Sequence, residues 1–228
     1  MLNLSIFSLC FIIRLMKKPD YKKPDHFARK AKSMGFPARS VFKLKELDEK
    51  FRIFRPGMRV LDLGCAPGSW MKYASQRVGP AGLVVGIDRR NLKRSVEENE
   101  IFIQKNIFEL DPVQLKQKFG WFDVVLSDLS PDTIGHKTTD NLRSIALGEQ
   151  AYKFAEALLK PGGKFLVKVF QGEGYDQFYK FLTRKFARVQ ATKPKSSRPT
   201  SREMYIYCQG FGQAKLKLGL KKKRGDKR

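Results

Sequence analysis

The chain has 228 residues, 42% of them hydrophobic and 30% charged, a balance that supports a folded core and excludes a wholly disordered polymer. Its 46 Lys and Arg against 22 Asp and Glu give a net charge of +24, which excludes an acidic solvating protein and makes a polyanion the expected partner. Three scattered Cys and two His exclude a disulfide framework, argue against any metal site, and fit a reducing, cytoplasmic setting.

The charge is concentrated. Residues 14–50 carry 12 basic and 5 acidic side chains, residues 184–202 carry 7 basic and no acidic ones, and residues 213–228 carry 8 basic and 1 acidic. Each stretch is therefore worth +7, which leaves +3 for everything else. Solubilising charge is normally mixed in sign; one-signed stretches fit phosphate contacts along a nucleic acid. Residues 1–16 form an apolar leader broken by Asn3, two Ser and Arg14. Its apolar run is too short to span a bilayer and lacks the basic start and cleavage site of a secretory signal. An over-extended start before Met16 is the expected explanation, and the segment is expected to do no chemistry. Residues 213–228 are expected to be a disordered basic tail, leaving 17–212 as one domain, expected to act as a monomer away from membranes.

In chain order, residues 39–51 set Val41, Leu44, Leu47 and Phe51 at helical spacing. RPG at 55–57 is a turn, MRVLDLG a buried strand running into a glycine loop, and SWMKYASQRV the helix that follows. LVVGID (83–88) and IFIQKN (101–106) are strands, DPVQLKQKF a short helix, and FDVVLSD (122–128) the fourth strand. A long helix is expected over about 140–159, where Leu142, Ile145, Ala155 and Leu158 mark its apolar face. KPGG turns into KFLVKVF (164–170), the fifth strand; YDQFYKFLTRKF is a helix; VQATKP and MYIYCQG form a terminal pair of strands. Strands alternating with helices predict a doubly wound α/β domain, a mostly parallel sheet covered on both faces and ending in an antiparallel strand.

Such sheets bind ligands beyond the carboxyl ends of their strands, at the switch point. The residues that close the strands are Asp62-Leu63-Gly64, Asp88, Asn106, Asp128 and Lys168. In DLGCAPGSW (62–70), Gly64 and Gly68 let the backbone turn sharply and approach a ligand. The spacing is not GxGxxG, so the pyrophosphate cradle of a nicotinamide enzyme is absent. Asp88, closing the second strand, suits the 2′- and 3′-hydroxyls of a ribose. Together they point to a nucleoside-bearing cofactor with no phosphate at the loop, such as S-adenosylmethionine. Trp70 either borders that cofactor or belongs to the core, and Cys65 reads as a small buried filler. Lys168, inside the apolar run FLVKVF, is costly unless it reaches a partner or a reacting group.

FKL at 42–44, DLGCAPGSW, SDLSPD, VKVFQGEG and SSRPTSREMYI, in that order over about residues 21–210, resemble the FtsJ/RrmJ family of RNA ribose 2′-O-methyltransferases. The resemblance implies a Rossmann-like S-adenosylmethionine-dependent methyltransferase with cofactor contacts at Gly64, Gly68, Trp70, Asp88, Asn106 and Asp128. It also implies a Lys-Asp-Lys-Glu tetrad at Lys43, Asp128, Lys168 and Glu203. The bacterial branch, which the short form of this chain looks like, methylates a uridine in the A-loop of large-subunit ribosomal RNA, making the large ribosomal subunit the implied partner. Eukaryotic relatives modify tRNA, mitochondrial or precursor RNA. Where the family usually has an Asp that receives the adenine amino group, this chain has Asn106, whose oxygen accepts the same bond without charge.

The expected chemistry leaves the enzyme to position and deprotonate a ribose hydroxyl. An ordinary Lys is protonated at neutral pH; burial and a second cation, Lys43, are the influences that would fit Lys168 to act as base, with Asp128 and Glu203 opposing them as orienting groups. Lys43 is then the residue that positions the ribose. A non-catalytic ribosome-assembly factor would not need the complete tetrad, and a small-molecule methyltransferase would not need the basic stretches.

Overall fold

The computed structural model describes residues 26–198 and 200–214; the expected leader, residues 1–16, and all of the expected tail except Gln213 and Ala214 lie outside the described residues. Seven strands, β1 (Arg59–Leu63), β2 (Leu83–Asp88), β3 (Glu100–Gln104), β4 (Phe122–Ser127), β5 (Leu159–Phe170), β6 (Phe186–Thr192) and β7 (Glu203–Phe211), form one sheet in the order β3-β2-β1-β4-β5-β7-β6. The first five run parallel, and β7 is antiparallel to both β5 and β6. The helices are α1 (His26–Ser33), α2 (Val41–Phe51), α3 (Ser69–Val78), α4 (Pro112–Phe119), α5 (Lys137–Leu158) and α6 (Tyr175–Thr183).

Side chains alternate across a strand, and here both faces are apolar. Val60, Val124, Leu126 and Leu166 pack against α2 and α3, whereas Leu61, Val125, Phe165 and Val167 pack against α4, α5 and α6. The switch point falls between β1 and β4, whose partners diverge in opposite directions across the sheet. This is the doubly wound, mostly parallel architecture that strand and helix alternation predicts.

Several boundaries differ from that reading: β3 stops at Gln104, so Asn106 caps the 3-10 turn that follows instead of closing the strand. Helix α1 was hidden in a basic stretch, and its buried Ala31 joins a small cluster with Phe36, Val41 and Phe42. KPGG is not a turn between elements: it lies inside β5, where Gly162 takes φ +80° and the register to β4 shifts between Phe122 and Val124. A glycine in the left-handed region lets a strand accommodate extra residues as a bulge. Finally, α6 stops at Thr183 and β6 begins at Phe186, because that ring is buried and stacks 6.2 Å from Phe165.

Candidate active site

The carboxyl ends of β1, β2 and β4 are stitched together by backbone. Gly64 N–H donates to the Ile87 carbonyl at 2.8 Å, and Asp128 N–H donates to the Leu63 carbonyl at 3.1 Å. Gly64 takes φ +81°, and a Cβ there would lie 3.0 Å from the Leu129 backbone nitrogen. Only glycine lets the β1 loop pass this closely under the β4 loop. The result is a cavity of about 460 Å³ lined by Gly64, Asp88, Asn106, Phe108, Asp128 and Leu129 among others.

Asp88 is buried and rigidly held. One carboxylate oxygen accepts from Ala66 N–H at 2.9 Å, and the other from Arg90 N–H at 2.9 Å and Arg90 Nε at 3.3 Å. Asn106 Oδ1 accepts from Phe108 N–H at 3.2 Å, capping the short 3-10 turn Ile107–Glu109. Gly68 and Trp70 are not among the residues lining this cavity. Gly68 opens α3 at φ +105° with its carbonyl accepting from Arg94 Nε at 3.0 Å. Trp70 is a core residue: its indole N–H donates to the Ser40 carbonyl at 2.8 Å, joining α3 to the start of α2. Of the two roles open to Trp70 in the sequence, its side chain takes the structural one.

The expected tetrad is assembled as two ion pairs. Lys43 Nζ donates to Glu203 Oε2 at 2.6 Å. Lys168 Nζ donates to the Asp128 carbonyl at 2.9 Å and lies 3.1 Å from Asp128 Oδ1. Between the pairs stands Tyr205, which the sequence reading missed. It faces Lys168 across the β5–β7 ladder, its hydroxyl donates to Asp128 Oδ1 at 2.9 Å, and Lys43 Nζ lies 5.9 Å above its ring. Burial and the Asp128 charge push the phenol well above its ordinary range, so it remains a donor. A signal was present: Tyr205 lies two residues beyond Glu203 in a strand and must share its face. Asp128 both lines the cavity and anchors Lys168, so it is the point where the cavity meets the tetrad.

Two neighbours complete the electrostatics. Asp62 is fully buried, and neither carboxyl oxygen has a hydrogen-bond partner among the described residues. Burial, reinforced by Asp128 and Asp88, raises it well above the usual carboxylate range. Burial and the same acidic neighbourhood push the Cys65 thiol up, which suits a filler and not a nucleophile. Among the described residues no group of three or more His, Cys, Asp or Glu is placed to hold a metal ion, and no helix is long and apolar enough to cross a membrane.

A ligand cavity at the switch point of a doubly wound sheet, with a lysine–carboxylate pair on its edge, defines a Rossmann-like domain with a ligand site beyond its strand ends. The chain belongs to the FtsJ-like methyltransferases, whose family model matches residues 36–211. It is 50% identical over 182 residues to a ribosomal RNA large subunit methyltransferase E from Desulfatibacillum aliphaticivorans, covering 80% of this chain and 88% of that protein. A protein of the same name from Desulfosudis oleivorans is 46% identical over 185 residues, covering 81% and 89% respectively. Among solved structures, a ribosomal RNA methyltransferase from Plasmodium falciparum superposes with a TM-score of 0.68 at 31% identity, over 76% of this chain and 97% of that one.

Proposed function

We propose that this chain transfers a methyl group from S-adenosylmethionine to a ribose 2′-hydroxyl of large-subunit ribosomal RNA, with a uridine of the A-loop as the target, acting as a cytoplasmic monomer. The observation that carries the reading is Asp128, shared between the cavity and the Lys168 pair. The cavity suits the cofactor. Asp88 offers a fixed carboxylate to a ribose diol, Gly64 leaves room for close approach, and Asn106 offers an amide to an adenine edge. When bound there, the cofactor supplies a methyl group already activated by its sulfonium charge.

The chain's own residues then have three tasks. Lys168 can take the proton from the 2′-hydroxyl only as the neutral amine, so its own proton must leave before the transfer, while the Asp128 carbonyl and carboxylate fix the direction of its Nζ. Tyr205 fixes Asp128 in turn. Glu203 orients Lys43 toward the incoming ribose. The protons of this cluster are coupled, so they are treated as belonging to the assembly.

Tertiary contacts support an RNA substrate. Glu46 on α2 accepts from Lys195 N–H at 2.6 Å and Ser196 N–H at 3.0 Å, and Arg39 donates to the Ser196 carbonyl at 2.6 Å. Two of the basic stretches are thereby joined beside the tetrad, although they lie at opposite ends of the domain.

The test is Lys168→Met, which keeps most of the buried stem. Single-turnover methyl transfer to large subunits from cells lacking the gene should fall by ~10²–10⁴, while cofactor and RNA binding persist. Transfer near the wild-type rate would remove Lys168 as base, and binding lost together with transfer would make its role structural. Mapping of 2′-O-methyl groups in total RNA with and without the gene should show one ribosomal position disappear.

A further inference from the structure

A groove of about 680 Å³ runs between α5 and α6, on the face of the sheet opposite α2 and α3. Leu142, Ile145, Tyr152, Phe178 and Phe181 give it an apolar floor, and Leu142 is 46% exposed. Its charged residues are Glu149 and Glu156 against Lys153 alone, in a chain of net charge +24. Glu156 is taken at one end by Lys185, whose Nζ donates to it at 3.0 Å and lies 5.5 Å from the Phe181 ring centroid. Glu149 is exposed, and its carboxylate meets no partner among the described residues. The chain leaves the sheet at the Glu156 end. Gly212 N–H donates to the Lys185 carbonyl at 3.0 Å, the Phe211 ring lies 5.4 Å from that of Phe186, and the described residues stop at Ala214. At the other end, Ala146 lines both this groove and the cofactor cavity.

The residues that follow Ala214 are Lys215, Leu216, Lys217, Leu218, Gly219 and Leu220, and then Lys221, Lys222, Lys223 and Arg224. They lie past the region matched by the family model, which ends at residue 211. Leucine at every second position sets three apolar side chains to one side of an extended segment and the lysines to the other. Six extended residues reach about 20 Å, and the α5 run from Glu156 back to Leu142 covers about 21 Å at 1.5 Å per residue. An RNA strand suits this groove poorly, because its phosphates would face Glu149. We propose that the α5–α6 groove is the docking site of the chain's own residues 215–220. Leu216, Leu218 and Leu220 cover its apolar floor, and Lys217, about 10 Å along an extended run, meets Glu149. Docked in this way, the segment runs toward Ala146 and delivers Lys221–Arg224 to the face that carries the cofactor cavity. That these four cations then meet RNA rests on the proposed function; the docking itself does not.

The experiment uses the full chain. A carbodiimide, which joins a lysine amine directly to a carboxylate it touches, should link Lys217 to Glu149 within one chain, as read by peptide mass mapping. The link should vanish in Glu149→Gln. It should vanish also in the triple variant Leu216→Ser, Leu218→Ser, Leu220→Ser, which keeps every charge. Trypsin should cut after Lys221–Lys223 alike in both proteins, but after Lys215 and Lys217 about tenfold faster in the triple variant. Absence of the link, or equal cleavage of the two proteins at Lys215 and Lys217, would overturn the docking. Links that join isotope-labelled to unlabelled chains would give the groove to a second copy and overturn it equally. With large subunits from cells lacking the gene, the salt slope of binding should fall in the triple variant by about one for each tail cation that no longer meets a phosphate. An unchanged slope would overturn the delivery of the basic run. The linking and cleavage measurements need neither cofactor nor RNA, so a failure of the docking is distinguished from a protein that methylates no RNA, which would overturn the proposed function instead.

Discussion

Asp62, next to last in β1, is fully buried and has no hydrogen-bond partner among the described residues, with a carboxyl raised well above its ordinary range by burial and by Asp128 and Asp88. In the unfolded chain the same group ionises near pH ~4. Above that value the unfolded state has released a proton that the folded state retains. Stability therefore falls as pH rises, by at most about 1.4 kcal/mol per pH unit, until the folded pKa is reached. Asp62→Asn keeps the shape and removes the titration. Urea denaturation of the cofactor-free proteins between about pH 5 and about pH 8 should show the variant gaining on the wild type as pH rises. Parallel curves would mean that Asp62 is ionised in the fold. The sequence placed an acid at a strand end but gave no sign of this state, because burial and neighbouring carboxylates are supplied by other elements.

Strand β5 presents two buried lysines on the α2 side of the sheet, and their partners give them opposite duties. Lys164 Nζ donates to the carbonyls of Arg52 at 2.7 Å and Ile53 at 2.6 Å, which lie just past the end of α2. Those carbonyls lie where a helix leaves acceptors without intrahelical donors, and the αL conformation of Arg52 turns the chain toward β5. Near the other end of α2 stands Lys43, paired with Glu203. Lys164 thus fixes one end of the element that aims a tetrad residue from the other. Lys164→Met should destabilise the protein by about 1–3 kcal/mol, the usual cost of stranding a buried acceptor, read as a lowered melting temperature with methyl transfer retained in the folded fraction. An unchanged melting temperature would show that α2 is held by its apolar face alone. The sequence singled out only Lys168, as a cation inside an apolar run; that Lys164 is a buried support shows only in the strand register and the packed helix.

At the scale of the molecule, the +24 charge resolves into surfaces only when the chain folds. The loop before β7 is pinned to α2 through Glu46 and to the residues just before α2 through Arg39, which brings Arg198 to the cavity that Lys43 lines. Lys195 contributes its backbone to that pinning and leaves its exposed side chain on the surface. Lys195→Gln should weaken binding across RNA sequences and lower the steepness of the salt dependence by about one if it meets a phosphate. Filter binding over a range of salt concentrations measures this, and an unchanged slope would leave Lys195 as solubilising charge.

The order of the strands and of the helices from α2 on, and the loop after β1, were legible from the sequence, because alternation, glycine spacing and turn residues are local signals that survive without a fold. The motifs also carried Lys43, Asp128, Lys168 and Glu203, which the fold gathers around Tyr205. Tertiary structure alone decided which lysine pairs with which carboxylate, that the side chain of Trp70 braces α2 instead of lining the cavity, and that KPGG is a bulge within β5. It also brought Arg39 and Arg198 to one wall from opposite ends of the domain. The division has one physical cause. Local backbone preference is written in neighbouring residues, whereas the partner, burial and charge state of a side chain depend on segments far away in sequence that meet only when the sheet closes its register.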